Sequence, residues 1–359
     1  MNELPRLGKL PPDVFDEVIY PNLGLVGPEV LVKPKHGVDV GVVSLEDNVL
    51  IVKSDPVFVV PEYGWERSAW FAVHILASDV STSGVAPKYL AIDLNLPQSM
   101  KKEEFVKLWK GIHNECEKLG VAIVTGHTGK YEGIDYPMIG GATMFTVAPK
   151  DGYVTTEMAR PGDKIIMTKG PAVEAAGILS TMFPKYIEER RGKEFALKAS
   201  ELFYLQSVVE DALTLAKIGL RSGVTSMHDA TEYGVWGALH DVAKASQVGI
   251  RVFKEKLFIK EEVKEVLDAF SELTGIEADP FSAISEGTLI ATVKPRKANE
   301  AVSMLKEKGI DAEVIGEVTD KVEEVVLVEG GEERKIKRPE QDPFWHVFFK
   351  TIELLSNAK

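Results

Sequence analysis

Gly37-Val38-Asp39-Val40-Gly41-Val42-Val43 is the first of four stretches that set an aspartate beside an apolar segment and small residues. The others are Val49-Leu50-Ile51-Val52-Lys53-Ser54-Asp55, Ala77-Ser78-Asp79-Val80-Ser81-Thr82-Ser83-Gly84 and Met227-His228-Asp229-Ala230-Thr231-Glu232-Tyr233-Gly234. Singly, each aspartate could be a turn former or a helix cap. Together they form a pattern, because each stands next to a strand end or a glycine-bearing loop. Carboxylates so placed suit Mg²⁺, which is usually held by one or two carboxylates plus substrate phosphates. The chain therefore reads first as a metal-dependent nucleotide enzyme.

Outward from these stretches the pattern is mixed. Residues 12–20 predict a short helix, 38–44 and 48–54 a strand pair around Glu46-Asp47-Asn48, and 66–83 a helix stopped by Gly84 and Pro87. Tyr89 to Leu96 reads as a strand, and 101–119 as an amphipathic helix capped by Gly120, with Cys116 on its inner face. Val121 to Val124 reads as a buried strand running into a loop, Thr125-Gly126-His127-Thr128-Gly129, and 138–148 as a further strand. After a seam near 154–161, Lys164 to Thr168 opens a second set of strands. Helices are predicted at 172–183, 186–218, 236–246 and 297–308, and strands at 289–293 and 312–318. A hairpin is expected around Gly330-Gly331, then an aromatic docking helix at 344–349. The domains expected are 1–155, 156–335 and a docking segment 336–359. The fold class is α+β.

At 359 residues, two domains are the expectation. Net charge is -13, from 42 Lys and Arg against 55 Asp and Glu. That sign argues against nucleic acid or an anionic membrane as main partner. It does not exclude phosphates, which need only local cations and backbone N–H groups. One cysteine cannot form an internal disulfide and fits a reducing compartment. Met1 to Leu10 shows no apolar core of signal-peptide length, and no segment approaches the roughly 20 apolar residues of a membrane span. A cytoplasmic protein is expected.

The ordered series Gly37 to Val43, Lys53-Ser54-Asp55, Ser78 to Pro87, Val124 to Thr128, Arg160 to Ile165, His228 to Thr231 and Ser285 to Leu289 resembles the aminoimidazole-ribonucleotide (AIR) synthase superfamily. The likeness spans roughly 25–330 and looks closest to archaeal AIR-synthase-related proteins near the hydrogenase-maturation branch. It implies a two-domain α+β fold with an N-terminal domain that pairs into a β-barrel at a homodimer interface and a C-terminal α/β domain. It also implies ATP and Mg²⁺ as cofactors. Asp39, Asp55, Asp79 and Asp229 fall where relatives hold metal against the phosphates. Gly37, Gly41, Ser83, Gly84, Gly126, Thr128 and Thr231 fall in the nucleotide-binding loops. His127 and His228 are the catalytic candidates, although either could instead cap a turn or sit satisfied in the core.

The resemblance implies activation of a carbonyl or amide oxygen of a small molecule or carrier by phosphorylation. A small-molecule kinase of the thiamine-monophosphate kinase type and a nucleotide-binding assembly factor are the alternatives. The chain departs from its relatives in places. Leu355-Ser356-Asn357-Ala358-Lys359 lacks the terminal cysteine of the carbamoyl dehydratase branch. Glu232-Tyr233-Gly234 stands where relatives carry Arg-Gly-Gly or a close variant. Lys33 and Lys35 read as a solvated basic pair.

Overall fold

The computed structural model describes residue 10 and residues 12–356. Met1 to Lys9 and the last three residues of the Leu355 to Lys359 ending lie outside them. The first element, α1 (Pro12–Val14), runs into an irregular helical turn through Asn22 rather than one regular helix.

Six strands form the first sheet: β1 (Val30–Val32), β2 (Gly41–Leu45), β3 (Asn48–Phe58), β4 (Tyr89–Leu96), β5 (Ala122–Lys130) and β6 (Met138–Pro149). Their order is β1-β2-β3-β6-β4-β5, and only β4 and β5 pair in parallel. Two helices, α2 (Trp65–Ser81) and α3 (Lys102–Leu119), cover one face. Val73, Leu76 and Val80 of α2 and Leu108 and Ile112 of α3 pack on Leu90, Ile92 and Met144. Cys116 is buried in this layer, and Gly120 ends α3 with φ 69°. The opposite face keeps Tyr89 and Val147 exposed, and Val124 on β5 is half exposed. One chain thus makes an open sheet among the described residues, not a closed barrel.

The second sheet holds β7 (Lys164–Thr168), β8 (Val224–Ala230), β9 (Gly249–Phe253), β10 (Thr288–Val293), β11 (Ala312–Thr319), β12 (Val325–Glu329) and β13 (Glu332–Lys335), in the order β13-β12-β9-β11-β7-β10-β8. Around it lie α4 (Val173–Met182), α5 (Pro184–Arg191), α6 (Lys193–Ser200), α7 (Val209–Ala216), α8 (Gly234–Ser246), α9 (Glu261–Thr274), α10 (Ala298–Glu307) and α11 (Pro343–Ser356). Val235, Leu239 and Val242 of α8 cover one face, against Ile165, Ile290 and Ile315. Ala212 and Leu215 of α7, with Ala301 and Leu305 of α10, cover the other, against Ile166, Leu289 and Val293. With both faces covered, β8 and β10 are buried at every residue. The aromatic tail forms α11, whose Phe344 and Val347 enter a cluster with Leu179, Leu267 and Phe270.

Three expectations are corrected. The long helix at 186–218 is broken at Gly192 (φ 87°) and again by a turn from Glu201 to Leu205. Apolar spacing continues across both breaks, so periodicity alone could not show them. The loop expected at 125–129 is strand: β5 continues to Lys130, parallel to β4, as a largely exposed edge. Asp55 does not end its strand, because β3 runs on to Phe58.

Candidate functional site

The two halves of the chain meet at Asp39, on the loop entering β2. Its Oδ1 lies 2.8 Å from His228 Nδ1, and its Oδ2 accepts the Asp229 N–H at 3.4 Å. The other ring nitrogen of His228 is 3.8 Å from Asp241 Oδ2, and Arg338 donates to Asp241 Oδ1 at 3.1 Å. Gly37, with φ 70°, makes this approach feasible: a Cβ there would stand 2.5 Å from that of Asp241. Burial alone would lower the His228 pKa, but Asp39 and Asp241 reverse this and push it up to about 10. His228 is therefore an imidazolium tie between carboxylates at neutral pH.

A second group forms on β3 and α2. Lys53 and Asp55 share one face of β3, because side chains alternate along a strand. Lys53 Nζ lies 2.9 Å from Asp79 Oδ2 and 3.4 Å from Asp55 Oδ2. Burial pulls Lys53 down, yet Asp79, Asp55 and Asp39 raise it further and keep it charged. Burial pushes Asp79 well above the usual carboxylate range, with Lys53 opposing and the other two aspartates adding to the rise. The α2 terminus is closed by local hydroxyls: Thr82 donates to the Asp79 carbonyl at 2.7 Å and Ser83 to that of Val80 at 2.6 Å. Gly84 turns the chain past Leu220 with φ 77°.

The third group belongs to the C-terminal half. Asp229 on β8 accepts the Gly287 N–H at 3.0 Å, and the Glu286 N–H donates to Glu174 Oε2 at 2.9 Å. Asp229 Oδ2 and Glu286 Oε1 are buried with no donor, although the two carboxyls are close enough to share a proton. Burial raises Asp229 to about 7, Glu174 to about 8 and Glu286 well above its ordinary value. The Thr231 carbonyl accepts the N–H groups of Gly234 and Ser285, which ties this loop to the Glu286 turn.

Asp39, Asp55, Asp79 and Asp229 are thus gathered across one seam, with Gly37 and Thr231 next to Asp39 and Asp229; Gly41 opens β2 two residues beyond Asp39, and Ser83 and Gly84 close the end of α2 against Val80 and Leu220. Gly126, His127 and Thr128 are not. Gly126 lies in the cross-strand row of Asp55, Ala142 and Ile92. That is three strands away, about 14 Å at ordinary spacing. His127 is exposed and bonds Tyr131 Oη at 2.6 Å. Sequence reading missed Lys53, Glu174, Glu286 and Asp241. Lys53 had a signal, its two-residue spacing from Asp55. Lys35 is paired with Glu157 at 2.6 Å rather than solvated alone.

The donors at the seam are hard oxygens, and two have no partner, which suits Mg²⁺. Among the described residues no three Asp, Glu, His or Cys side chains are placed to hold a metal ion together. No such trio is needed for an ion that arrives with phosphate oxygens.

Residues 37–148 match the N-terminal domain of the AIR synthase related proteins, and residues 160–329 match their C-terminal domain. The chain belongs to the AIR synthase related family. A relative from Methanocaldococcus jannaschii, named for hydrogenase expression and formation, is 25% identical over 94% of this chain and 96% of its own. Carbamoyl dehydratase HypE of Escherichia coli is 28% identical over 68% of each chain. The crystal structure of hydrogenase maturation protein HypE in complex with ATP superposes with a TM-score of 0.63 at 23% identity, over 92% of both chains. At that identity the likeness speaks for the fold. No helix among the described residues is long and apolar enough to cross a membrane.

Tyr233 adopts a left-handed φ of 67°. Its N–H donates to Asp342 Oδ2 at 2.9 Å, and the Arg338 guanidinium lies 4.9 Å from its ring centroid. The unusual residue keeps the left-handed turn through these two contacts.

Proposed function

We propose that this member of the AIR synthase related family is a Mg²⁺-dependent, ATP-using enzyme that activates a carbonyl or amide oxygen by phosphorylation. The single observation that carries the reading is the set of buried carboxylates facing one another across the seam, two of their oxygens without a donor. Such a set is electrostatically unfavourable alone and complete once a divalent cation arrives with phosphates. The ATP complex of a protein with the same fold supports the nucleotide assignment.

In this reading Asp55, Asp79 and Asp229 would hold the metal only together with phosphate oxygens, since no three acids among the described residues are placed to hold an ion by themselves; Asp39 is fixed beside them by His228. When bound, Mg²⁺ supplies charge neutralisation to the phosphates. Lys53 stands where an ammonium can take a phosphate oxygen once its aspartates have another cation. The His228 imidazolium holds Asp39 in place across the seam and positions rather than transfers a proton. Gly37 permits the close approach to Asp241 at the cleft, while Gly41, Ser83, Gly84 and Thr231 shape the strand and turns that carry the aspartates.

The domain seam is assigned at 155/156, with 336–359 as a docking segment. The uncovered face of the first sheet, with Tyr89, Val124 and Val147, is assigned to a homodimer. Gly126, His127 and Thr128 lie on the edge strand β5, with His127 in register with Asp93 and its neighbours in register with core residues Ile92 and Leu94, and would meet a nucleotide only from a second copy. The acceptor is a small molecule or a carrier.

Calorimetry of ATP with and without Mg²⁺, on the native chain and Asp55→Ala, tests the assignment. Metal-dependent binding that is lost in the variant supports it, and absent binding to the native chain overturns it. Product analysis then separates the chemistries. Release of inorganic phosphate marks the synthase type, whereas stable transfer to the acceptor marks a kinase.

A further inference from the structure

The part of the chain that matches the family ends at residue 329, yet the chain continues along the C-terminal half of the seam. Residues 336–342 lie between β13 and α11. The Ile336 carbonyl accepts from His240 Nε2 at 3.0 Å. Arg338 Nη2 donates to both oxygens of Asp241, at 3.1 and 3.4 Å. Asp241 Oδ2 in turn stands 3.8 Å from the His228 ring, whose other nitrogen holds Asp39. Asp342, only 7% exposed, accepts three backbone N–H groups: Tyr233 at 2.9 Å, Phe344 at 3.0 Å and Ile284 at 3.3 Å. Burial raises its pKa and these donors oppose the rise, leaving it at about 6. It is ionised at neutral pH and accepts from all three.

The bond to Phe344 is an ordinary N-cap of α11, complete in itself. The other two reach residues 109 and 58 positions away. One fastens the loop that follows Asp229, the other the turn that leads into Glu286. These two pieces also meet directly, where the Thr231 carbonyl accepts the Ser285 N–H at 3.2 Å. Each carries a carboxyl with an orphaned oxygen, Asp229 Oδ2 and Glu286 Oε1, so their spacing sets what can bind between them. Tyr233 is the strained point of the loop. A left-handed φ is unfavourable for a bulky side chain and persists only where the surroundings fix it. The fixing contacts, Asp342 on its N–H and Arg338 over its ring, both come from this one segment.

We propose that Arg338 and Asp342 are positioning residues for the seam. From a segment beyond the matched family domains they fix the loop after Asp229, the turn before Glu286 and the line from Asp241 through His228 to Asp39. Their value to a magnesium-bound nucleotide rests on the function proposed above; the fastening itself does not.

Hydrogen exchange read by mass spectrometry on the full chain tests the fastening without ligand. Asp342→Ala should speed exchange in the peptide over 285–289, where the Gly287 N–H donates to Asp229. Val347→Ala is the control, because it thins the core under α11 and touches neither fastener. It should lower the melting temperature but leave that peptide unchanged. Calorimetry of ATP with Mg²⁺ then reads the consequence. Asp342→Ala should weaken binding about tenfold or more, the scale for groups that orient metal ligands. Arg338→Met should weaken it less, and Val347→Ala not at all. In a Tyr233→Gly background, where the left-handed turn is unstrained, Asp342→Ala should cost less than it does in the native chain. Should the alanine variant fold poorly, Asp342→Asn keeps the shape and one acceptor oxygen, and its exchange should fall between alanine and native. Exchange over 285–289 that is the same in the Asp342 variants and the native chain, or that rises as much in Val347→Ala, overturns the proposal. So does native ATP binding that Asp342→Ala leaves intact. If the native chain binds no ATP, the function proposed above falls and the exchange result alone decides the fastening.

Discussion

The carboxylates at the seam come from two halves of the chain that solve the same problem differently. In the N-terminal half, Asp55 and Asp79 have Lys53, and Asp39 has His228, so each acid stands beside a cation. In the C-terminal half, Asp229 and Glu174 have one backbone N–H donor each and no such close cation, and one oxygen of Asp229 and one of Glu286 are orphaned. The first group is close to balanced without ligand. The second must share protons or take a cation. The difference teaches that one cluster of acids can be half balanced and half held in electrostatic tension.

The largest expected effect comes from relieving the tense half. Asp229→Asn should lower ATP turnover about 100-fold or more, the scale of lost metal-site groups. The same variant should raise the melting temperature of the unliganded chain at pH 8. The sign follows from a folded pKa of about 7, above the ordinary carboxylate value. Stability is lost as pH rises from the unfolded value through about 7, and the amide removes that loss. A lower melting temperature at pH 8 would place Asp229 among the balanced acids instead.

Lys53→Met tests the balanced half and should act the other way. It leaves Asp55 and Asp79 without their cation and should cost about 1–3 kcal/mol, measured by urea unfolding. Added Mg²⁺ should recover part of this loss, and more of it than it adds to the native chain. Equal stability of variant and native chain would mean that Lys53 balances nothing.

A smaller effect is expected at His228. Its folded pKa is raised to about 10, so its contribution is fully present below the unfolded value. It fades as pH climbs from about 6.5 through about 10. His228→Gln should flatten that stretch of the stability–pH curve; an unchanged slope would remove the histidine from the comparison. Smallest of all, Mg²⁺ at ten times its dissociation constant should raise the native melting temperature by about 2 °C. No shift would mean that the tension is met by shared protons alone.

Some of this was legible from residues alone. The β4 strand shows in its alternation, and α3 in its apolar stripe and left-handed Gly120 cap. The strand β8 was not legible. It is buried on both faces yet carries Ser226, His228 and Asp229, so polar residues interrupt the apolar run that marks a covered strand. Thr125 to Gly129 has the composition of a loop, but the parallel ladder with β4 draws it into a strand. Lys53 was readable from its two-residue spacing to Asp55. Glu174 and Glu286 were not, because only the turn at Gly287 brings their segments together.

The Asp39–His228 tie also has a consequence for how the molecule is made. Its partners are 189 residues apart in the chain. At a synthesis rate of about 5–20 residues per second, Asp39 waits about ten to forty seconds for its histidine. The first sheet can pair during that interval, since its strands lie within residues 30–149. The seam cannot, because its closure depends on contacts of very long sequence separation, which form slowly. A nascent chain therefore passes through a stage in which the first three aspartates are folded around Lys53 alone, before β8 brings His228 and Asp229 to the seam.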